Sequence, residues 1–159
     1  MNRTKADPTA QLAIGRVSRS AKQGIQTVSV EDYQKRLDDS LTEEQHQIEL
    51  FRQLEILSKK NPEYSMVFHI PNGGMRNKAT AARLKAAGVK AGIPDLLVPV
   101  PRGKYGGLFV ELKSLKRGAK LSKEQLEMIE KLRRYDYVVA ICYGWREALK
   151  AISGYLWNG

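Results

Sequence analysis

The chain has 159 residues and a formal net charge of +10, from 27 Lys and Arg against 17 Asp and Glu. Its content of 42% hydrophobic and 28% charged residues is that of a globular domain, which excludes a fibrous or wholly disordered protein. A single cysteine rules out an internal disulfide framework, and no apolar run approaches the roughly 20 residues that span a bilayer. We therefore expect a soluble protein without a membrane partner, in a reducing compartment such as the cytoplasm.

The first 40 residues are predicted to form a basic, flexible arm. Residues 1–28 show no regular hydrophobic period, and Ser29 is a possible N-cap for a short helix after them. The domain itself is expected over 41–159. It opens with a helix over 43–59, because apolar residues recur there at helical spacing and Asn61-Pro62 stops it.

Strands and helices alternate through the rest of the chain. We predict strands over 65–70, 95–100, 108–113 and 137–142, the last of them fully buried. Helices are predicted from Asn77 to Gly88, from Ser122 to about Tyr135, and after Gly144. The order α-β-α-β-β-α-β-α indicates an α/β fold with a mixed sheet flanked by helices.

The link between the second and third strands is too short for a crossover helix, so these two strands are predicted to form an antiparallel hairpin. Pairing residues 95–100 with 108–113 would place Asp95 beside Lys113, at the end of the sheet away from the hairpin turn.

The distribution of charge points to a polyanionic partner. Between Tyr64 and Lys123 the sequence has twelve Lys and Arg residues but only two carboxylates, Asp95 and Glu111. Basic surfaces attract nucleic acid. Two isolated acids in such a surface are explained by a cation held between a carboxylate and a phosphate.

Those two acids have the chemistry of a metal-dependent phosphodiesterase. Glu111 and Lys113 point to the same face of a strand, and Leu112 points to the core on the other face. Asp95 and Glu111 offer hard oxygen ligands to Mg²⁺ or Mn²⁺, and the Leu112 carbonyl can add another. Lys113 can orient a water or offset charge that develops on phosphorus.

An Asp followed later by Glu-x-Lys resembles the PD-(D/E)xK nuclease superfamily. Five segments in this order narrow the resemblance to the VRR-NUC family, in particular its small stand-alone phage-type members, over roughly residues 43–157: HIPNGG at 69–74, RLKAAGVKAGIPD at 83–95, GGLFVELK at 106–113, LSKEQ at 121–125 and YVVAICYG at 137–144. The resemblance implies a restriction-endonuclease-like fold, divalent metal and a homodimer. It also implies cleavage of branched DNA such as four-way junctions or flaps, in the host cytoplasm for a phage protein.

The resemblance also assigns two further site residues. An acid of the first helix, four residues before a glutamine, becomes Glu43 ahead of Gln47, with Glu44 as the competing assignment. Such an acid would add to the metal's inner or outer shell. Gln125 matches a later glutamine of the family, although a capping box with Ser122 would by itself explain a glutamine there.

Contacts to DNA are predicted from polar and basic residues around the acids: Asn72, Gly73, Arg76, Lys90, Lys116 and Arg117. A tight turn is the other interpretation of Asn72 and Gly73. We expect His69 to lie near the site without binding metal, and His46 to lie at the surface. Trp145, Tyr155 and Trp157 are expected in the core or an interface.

Simpler interpretations of the two central residues stay open at this point. Asp95 could only terminate a turn, and Lys113 could be a solvated charge on an edge strand. The function classes that compete with a DNA endonuclease are a non-catalytic nucleic-acid-binding module on the same fold and an RNA nuclease.

Overall fold

The computed structural model describes residues 29–71, 78–116 and 118–158, which form a four-stranded mixed sheet with five α-helices. In chain order the elements are α1 (Val30–Ser40), α2 (Glu43–Ser58), a 3₁₀ helix (Pro62–Met66), β1 (Phe68–His69), α3 (Lys78–Ala86), β2 (Leu96–Val98), β3 (Gly107–Lys113), α4 (Lys123–Arg134), β4 (Tyr137–Tyr143) and α5 (Gly144–Asn158). The predicted α/β class is confirmed. None of the described helices is long and apolar enough to cross a membrane.

The sheet has the order β1-β2-β3-β4, so β3 lies between two partners. β2 runs antiparallel to β3, as predicted for the hairpin, and β4 runs parallel to β3. All seven residues of β3 are buried. The central strand is therefore the most solvent-protected backbone of the domain, and it carries Glu111 and Lys113.

The predicted register of the hairpin is wrong by two residues. Leu96 pairs with Val110, so Asp95 falls beside Glu111 in the register and not beside Lys113. A separate antiparallel bridge joins Arg102 and Tyr105 in the hairpin turn. Between this bridge and the β2–β3 ladder, the β2 side of the hairpin has one residue more than the β3 side. Pro99 and Pro101 lie in this stretch, and because proline has no N–H to donate, the ladder is interrupted there.

Two strands also differ from prediction in extent or burial. The predicted strand over 65–70 is only Phe68–His69, because Pro62 opens a 3₁₀ helix that brings Tyr64 into the core. β4 is at the edge of the sheet and only partly buried, where the sequence predicted full burial. Helices cover its two faces, which is why its sequence is a continuous apolar run.

Two clusters of apolar side chains hold the sheet between helices. Leu96, Val110 and Leu112 pack with α2 and α5 on one face, and Leu112 faces this core as predicted. Phe109 and Val139 pack with Ile129 of α4 on the other face. Because side chains alternate along β3, Glu111 and Lys113 share the α4 face with Phe109.

Helix ends follow the capping signals in the sequence. Ser29 caps α1 as predicted, and capping boxes open α2 and α4, the latter formed by Ser122 and Gln125. Gly88 ends α3 with φ +95° and the paired backbone bonds of a Schellman motif, also as predicted. The predicted arm over 1–28 and the predicted cap Asn77 lie outside the described residues.

Gly92 connects the loop before β2 to the first turn of α4. Its φ is +75°, and a Cβ there would overlap the Glu124 carbonyl and lie 2.7 Å from the backbone nitrogen of Gln125. The loop that leads to Asp95 is therefore packed directly on the backbone at the start of α4.

We predict that Gly92→Ala lowers the free energy of unfolding by about 3 kcal/mol or more, because backbone strain and overlap with a fixed backbone act together. Gly88→Ala is the matched control, since Gly88 also has positive φ but has open space around it. It should cost only about 1–2 kcal/mol of left-handed strain. Urea unfolding of both variants measures the difference, and equal decreases would show that the packing on α4 can relax.

Candidate active site

Glu111 and Lys113 form a buried ion pair near the end of β3. Their exposed fractions are 1% and 7%, and the Lys113 Nζ lies 2.6 Å from Glu111 Oε1. A lysine this buried on the central strand is not the solvated edge charge of the simpler interpretation. Burying this pair is costly unless its polar atoms have partners, so the surrounding contacts matter.

Asp95 is tied to β3 by its side chain. Its Oδ2 accepts a hydrogen bond of 2.9 Å from the backbone N–H of Leu112. The Asp95 carbonyl accepts from the N–H of Ile70 and lies 2.9 Å from His69 Nδ1. Asp95 therefore does more than terminate a turn, and His69 lies beside the site through a main-chain contact, as expected.

Gln125 has two partners at once. Its Oε1 accepts from the Ser122 N–H in the capping box of α4, and its Nε2 donates to Glu111 Oε1. The two interpretations of this glutamine are thus compatible. The capping bond also fixes which way the amide faces, because Oε1 is held at the helix end and Nε2 is left to point at Glu111.

Glu43 reaches the same cluster from the first turn of α2. The Lys113 ammonium and the backbone N–H of Ser114 lower the pKa of its carboxyl, whereas the charge of Asp95 raises it. The charge of Glu43 acts in turn on Glu111 and Lys113. Glu43, four residues before Gln47, thus interacts with the cluster electrostatically, and its assignment as the first-helix acid stays a prediction.

The pKa shifts of the cluster reflect burial and an excess of negative charge. Burial raises the pKa of Glu111 to about 7, with the charges of Asp95 and Glu43 adding to the shift and Lys113 opposing it. Burial also raises the pKa of Asp95 and of Glu43. Burial by itself would lower the pKa of Lys113, but the hydrogen bond to Glu111 and the three carboxylates raise it. Such a cluster favours an added cation.

The oxygens of Glu111 fit a divalent cation. Lys113 and Gln125 both donate to Oε1, whereas Oε2 is buried without a hydrogen-bond partner. A buried carboxylate oxygen without a partner is unfavourable, and a metal ion would compensate it. Asp95 and the Leu112 carbonyl are the neighbouring oxygen donors of the predicted set, with Glu43 as a further acid.

No three His, Cys, Asp or Glu side chains within the described ranges are close enough together to form a metal site by themselves. Asp95, Glu111 and Glu43 are therefore not gathered as a three-acid site there, and a site of two carboxylates and the Leu112 carbonyl would leave its remaining positions to water, which Mg²⁺ retains readily. The ligand set of Asp95, Glu111, Leu112 and Glu43 stays a prediction.

Exposed cations lie in the loops around the acids. Lys90 is in the loop before Asp95, and Lys116 follows Lys113 by three residues; both are exposed. The other predicted DNA contacts, Asn72, Gly73, Arg76 and Arg117, lie outside the described residues. Further exposed cations of the same part of the chain are Arg83, Lys85, Lys120 and Lys123.

The expectation for His46 is wrong. It is fully buried one turn after Glu43 on α2; its Nδ1 accepts from the Trp145 N–H, and its Nε2 has no partner. The signal that could have found it is its spacing of four from the core residue Leu50. Trp145 and Tyr155 are buried as expected, and Trp157 is half exposed.

The comparisons with known proteins agree with one another. The sequence profile of the VRR-NUC domain matches residues 28–145. A solved structure described as a VRR_NUC domain protein is 30% identical to the chain and superposes with a TM-score of 0.59, covering 75% of this chain and 91% of that one. No protein of curated function matches the chain.

The charge of Glu111 predicts a pH-dependent cost to folding. Its folded-state pKa of about 7 exceeds the ordinary 4.5, so its contribution to stability is complete below pH 4.5 and is lost as pH rises through 7. In EDTA, the melting temperature of wild type should therefore fall more between pH 5 and pH 8 than that of Glu111→Gln, by several degrees at about 2–4 °C for each kcal/mol. Leaving the Lys113 ammonium with a neutral partner adds a cost to the variant, so the test is the change of the difference with pH and not its sign at one pH. A pH-independent decrease, measured by circular dichroism, would contradict this.

Proposed function

The chain belongs to the VRR-NUC family of nucleases, and we propose that it is a Mg²⁺- or Mn²⁺-dependent endonuclease that hydrolyses phosphodiester bonds in branched DNA. The observation that carries the proposal is the Glu111 carboxyl, buried beside Asp95 and Lys113 with one oxygen left without a partner. A binding module without catalysis has no need for a buried carboxylate with an unpartnered oxygen in a domain that must attract phosphate.

Each residue of the cluster has a role in this proposal. A divalent cation held by Asp95, Glu111 and the Leu112 carbonyl would polarise the scissile phosphate and lower the pKa of a bound water. The Lys113 ammonium opposes the rise of the Glu111 pKa and would offset charge on the phosphate. Gln125 donates to Glu111 Oε1 and leaves Oε2 as the oxygen that would bind the cation, and Glu43 would support the same site from α2.

The proposed substrate is branched DNA, for which four-way junctions and flaps are the main candidates. The exposed cations in the loops before Asp95 and after Lys113 suit contacts to a phosphate backbone. A four-way junction has two strands to cut, and a homodimer with one site per chain matches that symmetry. The homodimer is part of the proposal.

Nicking assays on plasmid, flap and four-way junction test the function directly. We expect cleavage in Mg²⁺ or Mn²⁺, none in EDTA, and faster cleavage of branched than of linear DNA. Asp95→Asn should abolish cleavage and leave DNA binding intact or tighter, because a negative charge that faces phosphate is removed. A variant that cuts at near wild-type rates would refute the site. Cleavage of RNA in preference to DNA would change the substrate class.

Glu43 and Glu44 form a matched pair for the role of the first-helix acid. Glu43→Gln should reduce the turnover rate about tenfold or more, the effect expected for a residue that supports metal ligands, with little change in DNA affinity. Glu44→Gln should stay within about threefold, because only Glu43 has been found to interact with the cluster. Single-turnover cleavage over a Mg²⁺ titration separates the two, and the reverse order would exclude Glu43.

Phosphate binding by Lys90 and Lys116 predicts a salt-dependent affinity. The double variant Lys90→Ala, Lys116→Ala should weaken binding to all sequences alike and reduce the log–log salt slope by about 0.9 for each phosphate that is no longer neutralised. Lys59→Ala, Lys60→Ala is the control with the same charge change, since these exposed lysines follow the far end of α2 from Glu43. An equal change in both double variants would show a diffuse charge effect and no defined DNA surface.

A further inference from the structure

The first helix, α1, turns its apolar side to solvent. Val30, Tyr33 and Leu37 recur at helical spacing and lie within an arc of about 60°, at 100° per residue, so they form one apolar stripe. We call these three residues the α1 stripe. Their exposed fractions are 70%, 59% and 48%. The apolar stripe of a surface helix ordinarily faces the core, so its exposure here indicates a surface that lacks a partner.

Asp38 attaches α1 to the rest of the domain. Its carboxylate accepts from Trp145 Nε1 at 3.1 Å and from Arg146 Nε at 2.6 Å, at the start of α5. All the other residues of α1 are exposed. Because Asp38 lies about 100° around the helix from Leu37, this attachment points the α1 stripe away from the domain. A helix of 11 residues is marginal in water without packing, so α1 requires a further partner on its apolar side.

The charge of α1 excludes a polyanion as that partner. Its sequence, VEDYQKRLDDS, has four acidic residues and two basic ones. A DNA backbone and an anionic lipid surface are both bound through an excess of Lys and Arg at the contact. The partner that fits the α1 stripe is therefore another apolar protein surface.

The charges beside the α1 stripe complement a second copy of the same helix. Asp32 and Arg36 lie one turn apart on one flank of the stripe, and neither forms an ion pair with another of the described residues. Two copies of α1 packed antiparallel about a two-fold axis near Tyr33 bring Val30 next to Leu37 of the partner subunit. The same axis brings Arg36 opposite Asp32 of the partner subunit, and symmetry makes this contact twice. Parallel packing would place like charges opposite each other.

We propose that the α1 stripe is the contact surface between two copies of this chain, whose α1 helices pack antiparallel about a two-fold axis. This deepens the proposed function and rests on it, because it assigns the interface of the homodimer. The interface is close in the chain to the proposed site, since α1 ends at Ser40 and Glu43 follows three residues later. Three apolar side chains per copy make a small interface, so we expect a dissociation constant of about 10–100 μM.

The oligomeric state tests the inference without DNA or metal. Sedimentation equilibrium of the full chain in EDTA should show a monomer–dimer equilibrium. Leu37→Ser should weaken the dimer about tenfold or more, because each dimer loses two buried leucine side chains. Ile56→Ser is the control, a similarly exposed aliphatic residue near the far end of α2, and should leave the dissociation constant unchanged. Equal effects of the two variants, or a wild-type chain that is monomeric at about 200 μM, would overturn the inference.

Two charge reversals test the antiparallel pairing. In Asp32→Lys both symmetric contacts join two cations, and in Arg36→Glu both join two anions, so each variant alone should dimerise at least about tenfold more weakly than wild type. An equimolar mixture of the two variants should recover the dimer, because each contact of the heterodimer again joins a cation and an anion. Single variants that dimerise like wild type, or a mixture no stronger than its components, would refute this pairing.

The two proposals fail in different ways. A chain that dimerises through the α1 stripe but cuts no DNA in Mg²⁺ would leave the interface standing and refute the nuclease function. A chain that cuts DNA and whose dimerisation is indifferent to Leu37→Ser would refute the interface alone.

Discussion

The burial of a carboxylate on the central strand constrains everything around it. Glu111 is held in a low-dielectric environment where its charged form is unfavourable, and its pKa is raised accordingly to about 7. Two donors, Lys113 and Gln125, satisfy one of its oxygens and leave the other free. The fold thus retains a local instability, which is typical of sites that bind a ligand at the same position.

The fold meets this constraint by bringing several elements to one end of β3. Asp95 is fixed by the backbone of β3 itself, and Gln125 is fixed by the capping box of α4. Gly92 allows the loop before Asp95 to pack directly on the backbone at the start of α4. The segments that carry Asp95 and Gln125 are therefore in contact. Charge is distributed unevenly in the same region, because exposed lysines lie in the neighbouring loops whereas the Glu111 carboxylate is buried.

Local features of this protein were determined by short stretches of sequence. The capping box of Ser122 and Gln125, the glycine that ends α3 and the alternation that puts Glu111 and Lys113 on one face of β3 depend on residues a few positions apart. Their physical causes, which are hydrogen bonds within one turn and the period of a strand, act at that range. The family was also recognisable from the order of its motifs.

Tertiary structure decided what depends on residues far apart in the chain. The register that places Asp95 beside Glu111 follows from how the hairpin accommodates its prolines. The electrostatic interaction of Glu43 with the cluster depends on how α2 docks on the sheet. The burial of His46 requires the α2 and α5 helices to pack together around it. These outcomes depend on packing energies between elements that approach only in the folded chain, and periodicity within a single helix carries no information about them.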